Sequence, residues 1–171
     1  CLPFTSRNFL DNTYNNNKDD LIHIKFKNIL EKYNLKFNYN LNKQNKIFDF
    51  ICVNRSASIK LTYDLLKYII NYLKITNKTC CFIIIEHDIN NPYYLEIMDY
   101  YNKNKIDNLL FINGTHLNKI KNSLWTGLLR EDLAILYKLS KIYMHCCEAE
   151  GESRTIHEAL ACGCMILAKN N

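Results

Sequence analysis

From Ile47 onward, short apolar runs alternate with stretches in which apolar residues recur at helical spacing. The runs are IFDFICV, CCFIIIE, NLLFIN, KIYMHCC and CMILA, and between them lie LTYDLLKYIINYLK, YYLEIMDYYNK, EDLAILYKL and RTIHEALAC. Continuous apolar runs with little alternation predict strands buried on both faces, and the intervening stretches predict helices. Repetition of the two predicts βαβ units, an α/β fold with a Rossmann-like parallel sheet and helices on both faces. Upstream, residues 1–20 are polar and Asn-rich and read as a loop or the tail of a preceding element. Apolar residues at Leu21, Ile24, Phe26, Ile29, Leu30 and Tyr33 predict an amphipathic helix over 21–35, and the polar stretch NYNLNKQNK closes it.

Composition narrows the function classes. With 171 residues the chain can bury one good core. No apolar run approaches the roughly 20 residues of a membrane helix, so no transmembrane segment is expected. The net charge is +5, but the basic residues are dispersed and form no dense block, so nucleic acid is not expected as a partner. The eight cysteines include the adjacent pairs Cys80-Cys81 and Cys146-Cys147 inside apolar runs and contain no CxxC zinc spacing. They read as buried small hydrophobes in a reducing, cytoplasmic setting, which leaves room for peripheral membrane attachment. A start at Cys1 and an end at Asn171, straight after an apolar run, point to a piece of a longer chain. Residues 1–46 are expected to be a linker or the remnant of a preceding N-terminal domain, and 47–171 a domain truncated at its C-terminus.

In open parallel sheets ligands sit at the carboxyl ends of the strands, which directs attention to the loops after Val53, Glu86, Asn113 and Cys147. The densest of these is HCCEAEGESRTIHEALACGC, residues 145–164, a strand, an acidic glycine-containing loop, a helix and another strand. If the helix begins near Arg154, its N-terminal N–H groups face the loop as an anion site, and Glu150 and Glu158 can both face the crevice. Gly151 stands where backbone must approach a ligand or take a positive φ, and Gly163 marks the helix stop. The same residues admit another reading, with Thr155-Ile-His-Glu158 as a capping box and Glu148, Glu150 and Glu152 as a solvated acidic turn. Spacing alone favours that second reading. VNRSASIK, residues 53–60, adds Arg55 and Lys60 at the mouth of the next helix, either a diphosphate clamp or a solvated loop. His145 and His157 are assigned buried or interface roles, His87 stands at a strand end, and Tyr63, Tyr68 and Tyr72 are assigned to packing.

Together these segments resemble the nucleotide-sugar-binding domain of GT-B-fold glycosyltransferases, particularly the retaining group 1, or family 4, type. That family carries a Glu, seven residues and a Glu, commonly an E-G-F-G loop followed by E-A-x-A-x-G. Here the stretch runs from Glu150-Gly151 to Glu158-Ala159-Leu160-Ala161-Cys162-Gly163. The family's Arg and Lys after the first strand resemble Arg55 and Lys60, and its strand-ending glycine before a helix resembles Gly127. The order agrees over about 47–169, which tips the balance from capping to site.

The resemblance implies the C-terminal, donor-binding half of a GT-B fold, transferring a sugar, with retention, from a nucleoside-diphosphate sugar to an unknown glycan, lipid or protein acceptor. It implies that Arg55 and Lys60 neutralise the donor diphosphate and that backbone at Gly151, Ser153, Arg154 and Thr155 approaches phosphate and sugar. Glu150 is the implied catalytic contact to the transferred sugar, and Glu158 the holder of the ribose. No cofactor or metal is implied. The partners implied are the donor, the acceptor and the missing N-terminal domain, without which this fragment is expected to turn over little. Three departures stand out. Glu152-Ser153 replaces the family's Phe-Gly, Leu61 replaces the usual Gly after the Lys, and Cys146-Cys147 replaces Pro-Ser. They motivate the alternative of a non-catalytic Rossmann-like binding or scaffold module.

Overall fold

The computed structural model describes residues 18–39, 46–117, 127–148 and 153–169. Helix α1 spans Lys18–Lys32, followed by β1 Phe48–Arg55, α2 Thr62–Lys74, β2 Cys80–Ile85, α3 Pro92–Lys103 and β3 Leu109–Asn113. Then come α4 Arg130–Lys138, β4 Ser140–His145, α5 Arg154–Ala161 and β5 Met165–Ala168. Short 3-10 turns, Ser58–Lys60 and Gly114–His116, follow β1 and β3.

The five strands form one sheet in the order β3-β2-β1-β4-β5, every neighbouring pair parallel. β1 lies at the centre, with Phe50–Arg55 opposite Cys80–Ile85 on one side and Phe48, Phe50 and Ile51 opposite Ser140, Ile142 and Tyr143 on the other. The α/β Rossmann-like fold expected from the alternating runs is therefore present. The chain grows outward from β1 through β2 to β3, then returns to the far side of β1 as β4. That reversal puts a topological switch point, the usual ligand crevice of such sheets, between the carboxyl ends of β1 and β4.

Alternate residues of each strand feed two cores. Ile51, Val53, Cys81, Ile83, Leu110 and Ile112 pack with α1, α4 and α5 on one face. Cys52, Cys80, Phe82, Ile84, Leu109 and Phe111 pack with α2 and α3 on the other. Burial on both faces explains why β1 and β2 read as continuous apolar runs. Six cysteines, Cys52, Cys80, Cys81, Cys147, Cys162 and Cys164, are buried and unbridged, acting as small hydrophobes. Burial pushes the Cys162 thiol up to about 12 and the Cys164 thiol up to about 11, so neither presents a thiolate at neutral pH.

Helix α1 packs Phe26, Ile29 and Leu30 inward, and Lys32 and Tyr33 reach Asp132 on α4 at 2.6 and 2.5 Å. It stops three residues before the predicted end. Asn34 takes a left-handed φ of 52°, and the Leu35 N–H bonds back to the Leu30 carbonyl at 2.8 Å while the Asn34 N–H reaches Glu31 at 3.2 Å. This is the Schellman arrangement, in which the left-handed residue ends the helix and Leu35 folds over Leu30. Gly163, at φ 80°, ends α5 the same way, with the Cys164 N–H on the Ala159 carbonyl at 3.0 Å.

The amino end of the sheet is fastened by Asp49. Its carboxylate accepts the Thr79 N–H at 3.1 Å, Lys141 Nζ at 3.0 Å and Lys78 Nζ at 3.4 Å, joining β1 to the starts of β2 and β4. Burial pushes the Asp49 carboxyl up, but the Lys141 ammonium, the Thr79 N–H and Lys78 more than reverse this and leave it below its usual 3.8. A depressed folded-state value contributes stability above the unfolded value and loses it as pH falls through the folded one. Asp49→Asn should therefore lower the unfolding free energy at pH 7 by about 1 kcal/mol, and the gap should close below pH 3.8; urea titrations at pH 7 and pH 3 check both.

Candidate functional site

Arg55 is the last residue of β1 and is exposed at the carboxyl edge of the sheet. Its backbone is held from two directions, its carbonyl accepting Thr62 Oγ1 at 2.6 Å and the following Ser56 N–H donating to the Ile85 carbonyl at 3.1 Å. The chain then tightens into the Ser58–Lys60 turn, closed by the Lys60 N–H on Ala57 at 2.9 Å and the Leu61 N–H on Ser58 at 2.8 Å. Leu61 must take φ 48°, ψ 33° to pass from this turn into α2. A side chain in that left-handed region costs roughly 1–2 kcal/mol, which glycine would avoid. The turn has the geometry of a glycine position, filled here by leucine.

Across the switch point, β4 runs into the acidic loop and α5. The Glu148 N–H donates to the Ile59 carbonyl at 2.9 Å, so the acidic loop is hydrogen-bonded to the turn that carries Lys60. Tyr143, fully buried on β4, donates its hydroxyl to Thr155 Oγ1 at 2.7 Å. The same hydroxyl lies 3.4 Å from the Val53 carbonyl oxygen and from His145 Nδ1. The start of α5 is thus fixed onto β1 and β4.

Helix α5 begins at Arg154 with the buried Ser153 as its N-cap residue, and the Ser153 side chain makes no capping hydrogen bond. The Ser153 hydroxyl pairs instead with Thr155 Oγ1 at 2.9 Å. The capping-box reading fails here, since Thr155 lies two residues inside the helix and Glu158 is not three residues beyond the cap. Glu158 is half-buried, and burial pushes its carboxyl above the usual 4.5 against the opposing pull of Arg130 and Arg154. Arg130 opens α4.

A cleft of about 330 Å³ opens beside Arg55, between the carboxyl ends of β1 and β2, lined also by Ser56, Glu86, His87, Asn91 and Tyr93. His87 therefore faces a cleft, though on the α2/α3 side of Arg55. Of the sequence-predicted residues, Arg55 ends β1 and Lys60 ends the turn that follows, while Ser153 is the N-cap of α5 and Arg154, Thr155 and Glu158 lie in its first two turns. The Glu148–Ile59 bond joins the two segments. Glu150, Gly151 and Glu152 lie outside the described residues. Arg130, Tyr143 and Glu86 had no sequence signal, because each matters through a partner distant in the chain. Among the described residues, no group of three His, Cys, Asp or Glu side chains could hold a metal. No helix there is long and apolar enough to cross a membrane.

Comparison with solved structures decides the fold type. An E. coli trehalose-6-phosphate structure bound with UDP-2-fluoro glucose superposes with a TM-score of 0.55 at 12% identity, covering 95% of this chain and 35% of that one. The α,α-trehalose-phosphate synthase (UDP-forming) from Burkholderia xenovorans, in complex with glucose-6-phosphate, gives 0.53 at 11% identity, covering 88% and 35%. The chain shares the α/β Rossmann-like fold of these structures, which is of the GT-B type. The N-terminal domain of Candida albicans trehalose-6-phosphate phosphatase also superposes, at 0.53 and 11% identity, covering 92% and 31%. The GT-B-type chain thus spans about a third of the length of the structures it matches. No family model and no curated protein matches its sequence.

This geometry makes two stability predictions. Leu61 belongs to neither core cluster, so Leu61→Gly should relieve the left-handed strain and raise stability by about 1 kcal/mol, a melting shift of roughly 2–4 °C. A carboxyl with a raised folded-state value is most favourable protonated, and its contribution is lost as pH rises from the unfolded value through the folded one. Glu158→Gln should therefore be more stable than wild type at pH 7, with the difference disappearing below pH 4.5; paired urea titrations measure it.

Proposed function

We propose that this chain is the donor-binding part of a glycosyltransferase that transfers a sugar, with retention, from a nucleoside-diphosphate sugar to a glycan, lipid or protein acceptor. One observation carries the reading. At the switch point of the sheet, Arg55 at the end of β1 and Lys60 in the turn after it stand beside Glu148, whose N–H bonds that turn ahead of a helix whose N-cap Ser153 makes no side-chain capping bond.

Chemically, breaking the glycosidic bond to a nucleoside diphosphate leaves negative charge on the departing phosphate. Preorganised cations and N–H dipoles stabilise that charge more than they stabilise the ground state. In this reading Arg55 and Lys60 neutralise the diphosphate, and the N–H groups at Gly151, Ser153, Arg154 and Thr155 approach phosphate and sugar. The Glu158 carboxylate accepts hydrogen bonds from ribose hydroxyls, and Arg130 and Arg154 favour its ionised form against the burial that opposes it. Glu150 contacts the transferred sugar. The acceptor site belongs to a second domain, and the reaction needs no metal or cofactor. The UDP-sugar bound by the E. coli structure makes uridine nucleotides the first to try.

Thermal melts of the full-length protein against nucleoside diphosphates and nucleotide sugars test the reading. A cognate nucleotide at a hundredfold excess over its Kd should add about 2.7 kcal/mol of stability. Arg55→Ala, Lys60→Ala and Glu158→Ala should each weaken binding about tenfold or more, the loss expected for a charge-assisted hydrogen bond. A protein stabilised by none of these ligands would be a non-catalytic module on the same fold.

A further inference from the structure

Glu86 stands directly after β2, half-buried beneath the cleft next to Arg55. Both of its carboxylate oxygens are occupied twice. Oε2 accepts the Ser56 hydroxyl and Asn91 Nδ2, the latter at 2.9 Å, and Oε1 accepts the N–H groups of His87 at 2.7 Å and Asp88 at 3.0 Å. Its own N–H donates to Thr115 Oγ1 at 3.1 Å, and the Thr115 N–H donates to Asn113 Oδ1 at 3.1 Å. Asn91 also serves as the N-cap of α3, accepting the Tyr93 N–H at 3.0 Å. One residue therefore gathers three loops, its side chain joining those that leave β1 and β2 and its backbone N–H the one that leaves β3.

A carboxylate has about four acceptor positions, and four donors fill those of Glu86. It is thereby spent on the protein's own backbone and side chains rather than on the hydroxyls of a ligand. These donors are all neutral, so they stabilise the carboxylate without cancelling its charge, and its part is to hold the loops in place. The bond to Ser56 falls on the residue immediately after Arg55 and at the start of the turn that carries Lys60. We propose that Glu86 is a positioning residue that presets the Arg55–Lys60 turn for an anionic, diphosphate-bearing ligand. The inference rests on the donor-site reading of that turn.

Glu86→Gln is the informative change, because the amide keeps the size of the side chain but replaces one acceptor oxygen with a donor that opposes the donors already there. The probe is inorganic pyrophosphate, titrated calorimetrically at constant ionic strength into the full-length wild type, Glu86→Gln, Ser56→Ala, Arg55→Ala and the Arg55→Ala/Glu86→Gln double variant. Amide hydrogen exchange is followed over residues 56–61 in the same proteins. Glu86→Gln should weaken pyrophosphate about tenfold and speed exchange over the turn, with Ser56→Ala doing part of each. In the Arg55→Ala background Glu86→Gln should add little, the non-additivity expected if it acts through Arg55 and not shown by a general loss of stability. Wild-type binding left unaltered by Glu86→Gln, or a fully additive double variant, overturns the inference alone. A wild type that binds no pyrophosphate overturns the donor-site reading and the ligand named here, while unchanged exchange in Glu86→Gln would separately refute its hold on the turn.

Discussion

A central parallel strand paired on both edges and covered on both faces is the constraint from which the rest of this molecule follows. β1 hydrogen-bonds to β2 and β4, and its side chains feed both cores, so it tolerates little polarity along its middle. Polar chemistry is pushed to its two ends. At the amino end Asp49 fastens the neighbouring strands with two lysines and a backbone N–H. At the carboxyl end Arg55 emerges into solvent, and Glu86 fixes the turn that follows.

The two ends use charge in opposite ways. Asp49 is a carboxylate matched by cations and keeps its proton off more easily than in water. Glu158, near the switch point, is held in a setting that opposes its own ionisation, offset in part by Arg130 and Arg154. A left-handed leucine at position 61 adds a second unfavourable element in the same region. Strain and opposed charge thus gather around one crevice, while the opposite end of the sheet is well satisfied.

Much of this architecture was legible in the chain. The runs IFDFICV and CCFIII could hardly be anything but doubly buried strands, and the spacing of Leu65, Leu66, Ile69, Ile70 and Leu73 specified the inward face of α2. Helix ends were harder, because they depend on single backbone conformations. Apolar spacing carried the first helix to residue 35, whereas Asn34 turning left-handed stopped it at Lys32. The start of α5 rules out the capping box that spacing allowed, since Thr155 and Glu158 form one only if Thr155 is the N-cap, and the N-cap is Ser153. Glu86, Tyr143 and Arg130 were invisible for a different reason. Each depends on a partner in another loop or element, such as Ser56 for Glu86, Thr155 for Tyr143 and Glu158 for Arg130, and a single sequence carries no record of which loops meet over a sheet.

The buried cysteines have a kinetic side as well. A thiol shielded from water reacts with an alkylating reagent only after the segment around it opens, so the six buried thiols act as built-in reporters of opening. Cys52, Cys80 and Cys81 lie on the two innermost strands and register complete unfolding, whereas Cys162 and Cys164 flank the last turn before the outermost strand and register its separate release. The same placement makes the native state its own protection against oxidation, and leaves the newly made chain, with every sulfur in reach of solvent, as the form most exposed to it.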